Sequence, residues 1–401
     1  MGRKLSKTIF LVVLLVIWLA PVGDGAAVEE SGVKSEASVP AFSVEDAIDS
    51  LDMQVLEEYK NQIDGELNLD NEKKTVKKWL TDFVTGEWDF DVKHILQNLI
   101  QFLFKEVLAN SSLLGKLIVL SVLAALLVNL QTAFSTGVSR IAYLACFLAL
   151  CAIAIGSFKL VLGIGQQTID NMVSFMMGML PQMLVLVAGM GNVNSSVMLF
   201  PILMTTATAF ANAIKTIVFP LIIMSALLSL VNHISDTIKI QRLAAVFKQL
   251  AQLSLSLLLT IFVGIITIRS IYASALDKVT LRTTKFITDN AIPVVGKMFS
   301  DTIEVAAGYV MMLKHALGIL GVFIIFGIII FPLLKIAAIV LIYRLTAATV
   351  EPMGDARTAA VLETMSSHLL LMLAAIASVG LMFFIMIAII AGTSNYSVML
   401  R

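Results

Sequence analysis

Ile217-Val218-Phe219-Pro220-Leu221 returns 112 residues later as Ile329-Ile330-Phe331-Pro332-Leu333 (329 − 217 = 112). The same offset carries Gly178-Met179-Leu180-Pro181 onto Asn290-Ala291-Ile292-Pro293. An offset of 115 carries Arg242-Leu243-Ala244-Ala245-Val246 onto Arg357-Thr358-Ala359-Ala360-Val361 (357 − 242 = 115). Three matches in order, in a chain otherwise written in Leu, Ile, Val and Ala, describe a tandem repeat. A repeat inside apolar sequence points to a membrane-embedded conduit or transporter, and away from a single catalytic pocket.

The surroundings agree. The chain has 401 residues, is 58% hydrophobic and has a mean hydropathy of +0.93. No soluble domain needs that much apolar surface, so the expected class is an all-α, polytopic helical membrane protein. A net charge of zero hides an asymmetry. Residues 28–112 carry 18 acids and 8 bases, a net of −10, whereas residues 113–401 carry 9 acids and 17 bases, a net of +8. An acidic, solvated module thus precedes a membrane module with basic loops.

The N-terminus reads as a signal peptide over residues 1–27. Arg3, Lys4 and Lys7 form a positive region, Thr8 to Ala20 a short apolar region, and Gly25-Ala26-Ala27 a small-residue cleavage site. Cleavage is expected, with an uncleaved anchor helix as the alternative, because about 13 apolar residues are short for a ~30 Å span. Residues 28–112 then form a small helical extracytoplasmic module. It has a flexible leader at 28–41, a helix from Ser43, a loop at 61–71, a helix near 72–84 and a third reaching about Ala109. Residues 113–140 are a first span and loop, 141–252 a first membrane repeat, and 253–401 a second repeat plus a final span.

Between six and eight crossings are compatible with the apolar segments. The loop around Lys239, Arg242 and Lys248 is the most basic short loop, so it should be cytoplasmic. In the preferred reading 141–164 and a kinked 197–231 cross, while 170–190 is re-entrant or interfacial. Its counterpart at 282–305 carries Asp289, Lys297, Asp301 and Glu304, which a full span would bear at a cost. In the other reading 170–190 also crosses and 197–231 is a hairpin. Both place the Arg242 and Arg357 loops on one face.

No residue pattern suggests catalysis. GxxxxGK[ST], HExxH, CxxC and GxSxG are all absent, and His94, His233, His315 and His368 show no metal-ligand spacing. Cys146 and Cys151, five apart in an apolar run, read as reduced thiols. No enzyme activity, cofactor, metal or nucleic-acid partner is expected. What remains is architectural. Pro181 with Pro293, and Pro220 with Pro332, are repeat-related prolines that could bend helices lining a central space. Lys335, and less so Lys215, could be a pore- or partner-facing cation or a snorkelling one. Arg242 and the turn holding Glu351, Pro352, Asp355 and Arg357 could dock a partner in the cytoplasm or simply close a loop.

Phe175 with Leu180-Pro181, the run Asn290-Ala291-Ile292-Pro293-Val294-Val295-Gly296-Lys297, Leu313-Lys314 through Gly318-Ile319-Leu320-Gly321, and Glu351-Pro352 with Asp355 resemble the stage III sporulation protein AE family. The resemblance covers nearly the whole chain. It implies a subunit of a secretion-like channel complex that joins mother cell and forespore during sporulation and is needed for late forespore development. It implies a mother-cell-derived membrane around the forespore as the location. It also implies as partners the other membrane and ring-forming proteins of the stage III operon, a cytoplasmic ATPase and a forespore-side protein, besides membrane lipid. Two other readings stay open. One is a self-contained secondary transporter, against which stands the lack of clustered coupling acids, Asp170 and Asp289 being the nearest. The other is a non-conducting membrane scaffold.

Overall fold

The computed structural model describes residues 53–67, 75–85, 92–134, 137–189, 193–234, 240–291 and 295–392. The signal peptide, the leader at 28–41, the helix start at Ser43 and Pro293 lie outside the described residues. The described residues belong to one compact unit, Phe42–Arg401, and every element in them is a helix.

Among the described residues, three helices form an N-terminal module: α1 (Gln54–Leu67), α2 (Val76–Thr85) and α3 (Val92–Ala109). After Asn110 come α4 (Ser111–Phe134), α5 (Gly137–Gly189) and α6 (Val193–Ala213). A π-helical turn (Ile214–Val218) leads into α7 (Phe219–Ile234). Next are α8 (Gln241–Ala291) and α9 (Val295–Val350), then a 3-10 turn (Glu351–Met353) and α10 (Ala356–Gly392). Among the described residues, six apolar helical segments are long enough to cross a membrane: 111–131, 141–188, 201–234, 241–272, 310–353 and 356–391. The chain is an all-α polytopic membrane protein.

Two expectations change. Segments 141–164 and 170–190 are one continuous 53-residue helix, α5, so the second is not a separate re-entrant piece. The polar residues that suggested a boundary sit on its outer face. Gln166, Gln167 and Asp170 are exposed, while Gly165, Thr168, Ile169, Met172, Phe175, Met176 and Met179 are buried at helical spacing. Pro181 is tolerated inside α5, where the Gln182 side-chain amide donates to the Gly178 carbonyl (3.3 Å). Likewise 282–305 is no isolated element. It is the end of α8 and the start of α9. In the module, α1 runs to Leu67 through the expected loop. Lys60 pairs with Asp64 one turn on, and Ile63 packs against Gly327, so burial overrides the weak propensity of Gly65.

The helices meet at a common basal end. Asn129 of α4 donates to the Met353 carbonyl (3.1 Å). Arg357 of α10 donates to the His233 and Ile234 carbonyls at the end of α7 (2.5 and 2.8 Å). The Ile240 N–H, just before α8, reaches back to Asn232 (3.2 Å). Arg242 and Arg357 therefore sit at the same end of the bundle. Away from it, α5, α9 and α10 pack through small residues, which let backbones approach closely. The Gly321 Cα faces Met179 and Ile387, Gly380 faces Ile329, and Gly165 faces Ile376 and Phe219.

The two copies of the phenylalanine–proline motif differ locally. Phe331-Pro332 lies in regular α-helix, whereas Phe219-Pro220 follows the π turn, in which the Phe219 N–H bonds the Ile214 carbonyl five residues back. Proline 220 has no N–H for the ordinary ladder, and one extra residue in the turn takes up the mismatch.

Candidate functional site

The N-terminal module is seated on the membrane helices. Helix α1 lies against α5 and α9. Val55 fills the notch at Gly178, where an added Cβ would come within 2.8 Å of the valine, and Ile63 fills the notch at Gly327. Tyr59 packs edge-on to Phe175 with ring centroids 5.5 Å apart. Burial, with the charge of Glu58, raises the Tyr59 hydroxyl above its ordinary value, against an opposing hydrogen bond with Ser174. Lys60 is buried with its ammonium 5.5 Å from the Trp79 ring, which ties α1 to α2.

Beneath α1 a cavity of about 270 Å³ opens between α1, α5 and α9. Gln62, Gln167, Thr168, Asn171, Pro332 and Lys335 are among its lining residues. Lys335 also stands 5.9 Å from the ring of Phe102, and Phe102 stacks edge-on against Phe331 at 5.0 Å. Lys335 and Pro332 thus face the seat of the module. Pro181 is half-buried inside α5, and Pro220 is exposed where α7 begins. These three prolines occupy three settings, and Pro293 is outside the described residues.

A second polar feature lies beside this cavity on α5. The Lys215 ammonium, from the π turn, pairs with Asp170. Asp170, one of the two nearest candidates for a coupling acid, is therefore matched by a cation. The pair is largely exposed, so Lys215→Met alone and Lys215→Met with Asp170→Asn should both leave sporulation within about twofold of wild type. Heat-resistant spore counts decide. A strong defect in either variant would mean that the charges themselves are needed.

The basal end holds the third cluster. Asp355 is buried and caps α10: it accepts the Thr358 N–H (3.0 Å), the Thr358 hydroxyl (2.5 Å) and, at 3.4 Å, the Tyr143 hydroxyl of α5. Gly354 before it takes φ +90°, a conformation that suits glycine. Arg357 covers the open carbonyls of α7 and lies 5.3 Å from the Phe147 ring. Asp355 and Arg357 are thus engaged inside the fold, while Arg242, Glu351 and Pro352 are exposed. Deeper in, His368 of α10 meets the Ser225 hydroxyl of α7 (2.8 Å), which also bonds the Ala244 carbonyl of α8 (2.8 Å). In the sequence His368 stands without a metal-ligand spacing to any other histidine. Its small hydroxyl partner, 143 positions away, leaves no local signal.

Among the described residues no group of His, Cys, Asp or Glu could hold a metal ion. The Stage III sporulation protein AE family model matches residues 74–394. The chain is 33% identical over 403 residues to the Stage III sporulation protein AE of Bacillus subtilis (strain 168), covering 100% of each. No solved structure matches it.

Proposed function

Because the chain belongs to the Stage III sporulation protein AE family, its role lies in sporulation, and we propose that it is a membrane subunit of the channel complex joining mother cell and forespore. The family match over most of the chain carries this reading. The helix lengths support it. A helix tilted by as much as 40° crosses a ~30 Å hydrocarbon layer in about 26 residues. Helices α5, α8 and α9 have 53, 51 and 56 residues, about twice what one crossing needs.

The excess points one way. Helix α4, with 24 residues, is long enough for one crossing, and Asn129 near its end is tied to the basal end. The layer beside α4 is therefore the bilayer, and the far halves of α5, α8 and α9 stand clear of it. They carry the N-terminal module on the same side, consistent with an extracytoplasmic module, a cytoplasmic Arg242 and Glu351–Pro352 surface, and the positive-inside rule. A subunit built this way offers ring-forming partners a rigid surface in the space between two membranes. The tandem repeat is part of the proposal: residues 141–252 form one unit, and residues 253–401 the other together with the final span. No chemistry is assigned to the chain, and its partners are other proteins of the stage III sporulation system.

A photo-crosslinking amino acid at Val185, 66% exposed on the far half of α5, should capture proteins of that system in sporulating cells, while Val119, 65% exposed on α4, should capture lipid only. The full chain alone in liposomes should not accumulate solutes along an ion gradient. Gradient-driven accumulation, or no protein adduct at Val185, would overturn the proposal.

A further inference from the structure

Leu96, Ile100, Phe104 and Leu108 of α3 are 57%, 48%, 63% and 72% exposed. At a spacing of four they form one continuous stripe. On a 3.6-residue wheel the centre of this stripe lies about 180° from Phe102, the residue that packs on Phe331 of α9. Helix α3 is thus held to the bundle by one face and offers outward a mostly apolar face, interrupted by the exposed Gln97. The exposed Gln101 and Lys105 flank the stripe.

The height of α3 identifies what covers this face. Helix α4 packs along α9 and is pinned to it by Asn129 and Met353. Counting away from that pin, Ser111 is 18 residues along α4 (129 − 111) and Lys335 is 18 along α9 (353 − 335), so the two are level. Phe102 lies nine residues before Ser111, yet its ring contacts Phe331 and Lys335. Phe331 is 22 residues from the pin (353 − 331), so α3 meets α9 only four residues above the level of Ser111, at the mouth of α4. Leu108 is three residues from the start of a span, where hydrocarbon gives way to headgroups.

We propose that α3 is an interfacial helix whose Leu96–Ile100–Phe104–Leu108 stripe lies in the outer leaflet beside the bundle. The helix is thereby an element of the membrane boundary as well as the end of the acidic module. Such a helix buries its apolar face by about 5–10 Å and keeps its polar flank in the headgroups. It also fixes the height of the bundle, because α3 is clamped at Phe102 and cannot move without α9. This inference needs only the bilayer placement of α4 and does not depend on the channel reading.

The test uses the full chain in liposomes of phosphatidylglycerol and phosphatidylethanolamine. Nitroxide labels go on Ile100→Cys, Phe104→Cys, Gln101→Cys and Lys105→Cys, with Cys146 and Cys151 replaced by Ala. Oxygen should collide with the labels at 100 and 104 several-fold more than a water-soluble nickel complex does, and the ratio should reverse at 101 and 105. Phe104→Trp with the native cysteines kept gives an independent readout, strong quenching by lipids brominated near the headgroup. Equal nickel access at all four positions, or absence of quenching, places the stripe in water and overturns the proposal. Spin–spin broadening between labels on two chains makes a second copy the occupant and overturns it as well.

Discussion

Asp355→Ala should lower the stability of the bundle by roughly 2–4 kcal/mol and reduce sporulation by orders of magnitude. The carboxylate caps α10, and loss of such a cap costs about 0.5–2 kcal/mol. Its removal also strips a buried partner from the Thr358 and Tyr143 hydroxyls, at about 1–3 kcal/mol for groups left unsatisfied. Asp355→Asn keeps the acceptor for the Thr358 N–H and should recover much of the loss, because Asn caps about as well as Asp. Thermal unfolding in detergent, together with hydrogen exchange at the start of α10, reads the effect. If Ala and Asn variants proved equally defective, with stability unchanged, Asp355 would be acting through its charge toward a partner rather than as a cap.

Gly178→Leu should release α1 from its seat while the membrane bundle stays folded. A Cβ alone would meet both methyls of Val55 at 2.8 and 2.9 Å, and valine is stiff about χ1, so the clash cannot be absorbed by a rotamer change. A leucine makes the notch unusable. Amide exchange in α1 should accelerate at least tenfold, equivalent to about 1.4 kcal/mol, while protection in α9 and α10 persists. Tyr59 should lose its contact with Phe175, and its hydroxyl should move back toward the ordinary tyrosine value. A compensating Val55→Gly should restore part of the protection. Unchanged exchange in α1 would mean that Val55 and Gly178 do not form the seat. Loss of sporulation alongside a well-folded bundle would tie the seated module to function.

These two expectations rest on residues of different legibility. The Glu351-Pro352-Met353-Gly354-Asp355 turn announces itself in sequence, since proline, glycine and a capping acid are local devices. Their local roles follow without any knowledge of the rest of the chain. That Asp355 is buried under Tyr143, or that Arg357 is occupied by the carbonyls of α7, is a matter of 212 and 123–124 residues of separation. The sequence showed a polar cluster suited either to docking or to loop closure. Packing divided it, turning Asp355 and Arg357 inward and leaving Glu351 and Pro352 outside.

The polar residues at 166–171 teach the same lesson in reverse. As a string they look like a break between two apolar segments. In the bundle Gln166, Gln167 and Asp170 are exposed on a helix that never stops, while Thr168 and Ile169 between them are buried. Composition alone determined that this chain is helical and polytopic, because unpaired backbone groups are intolerable in lipid and long apolar segments can satisfy them only as helices. Charge asymmetry sets the acidic residues 28–112 apart from the apolar segments, because acids are costly to bury in hydrocarbon. Only tertiary structure decided that α5 and α9 run far past one bilayer thickness, that Gly178 and Gly327 are notches for α1, and that Lys215 belongs to Asp170. Each of these depends on which surfaces meet, and apolar helices of similar composition carry little local information about which neighbour they will choose.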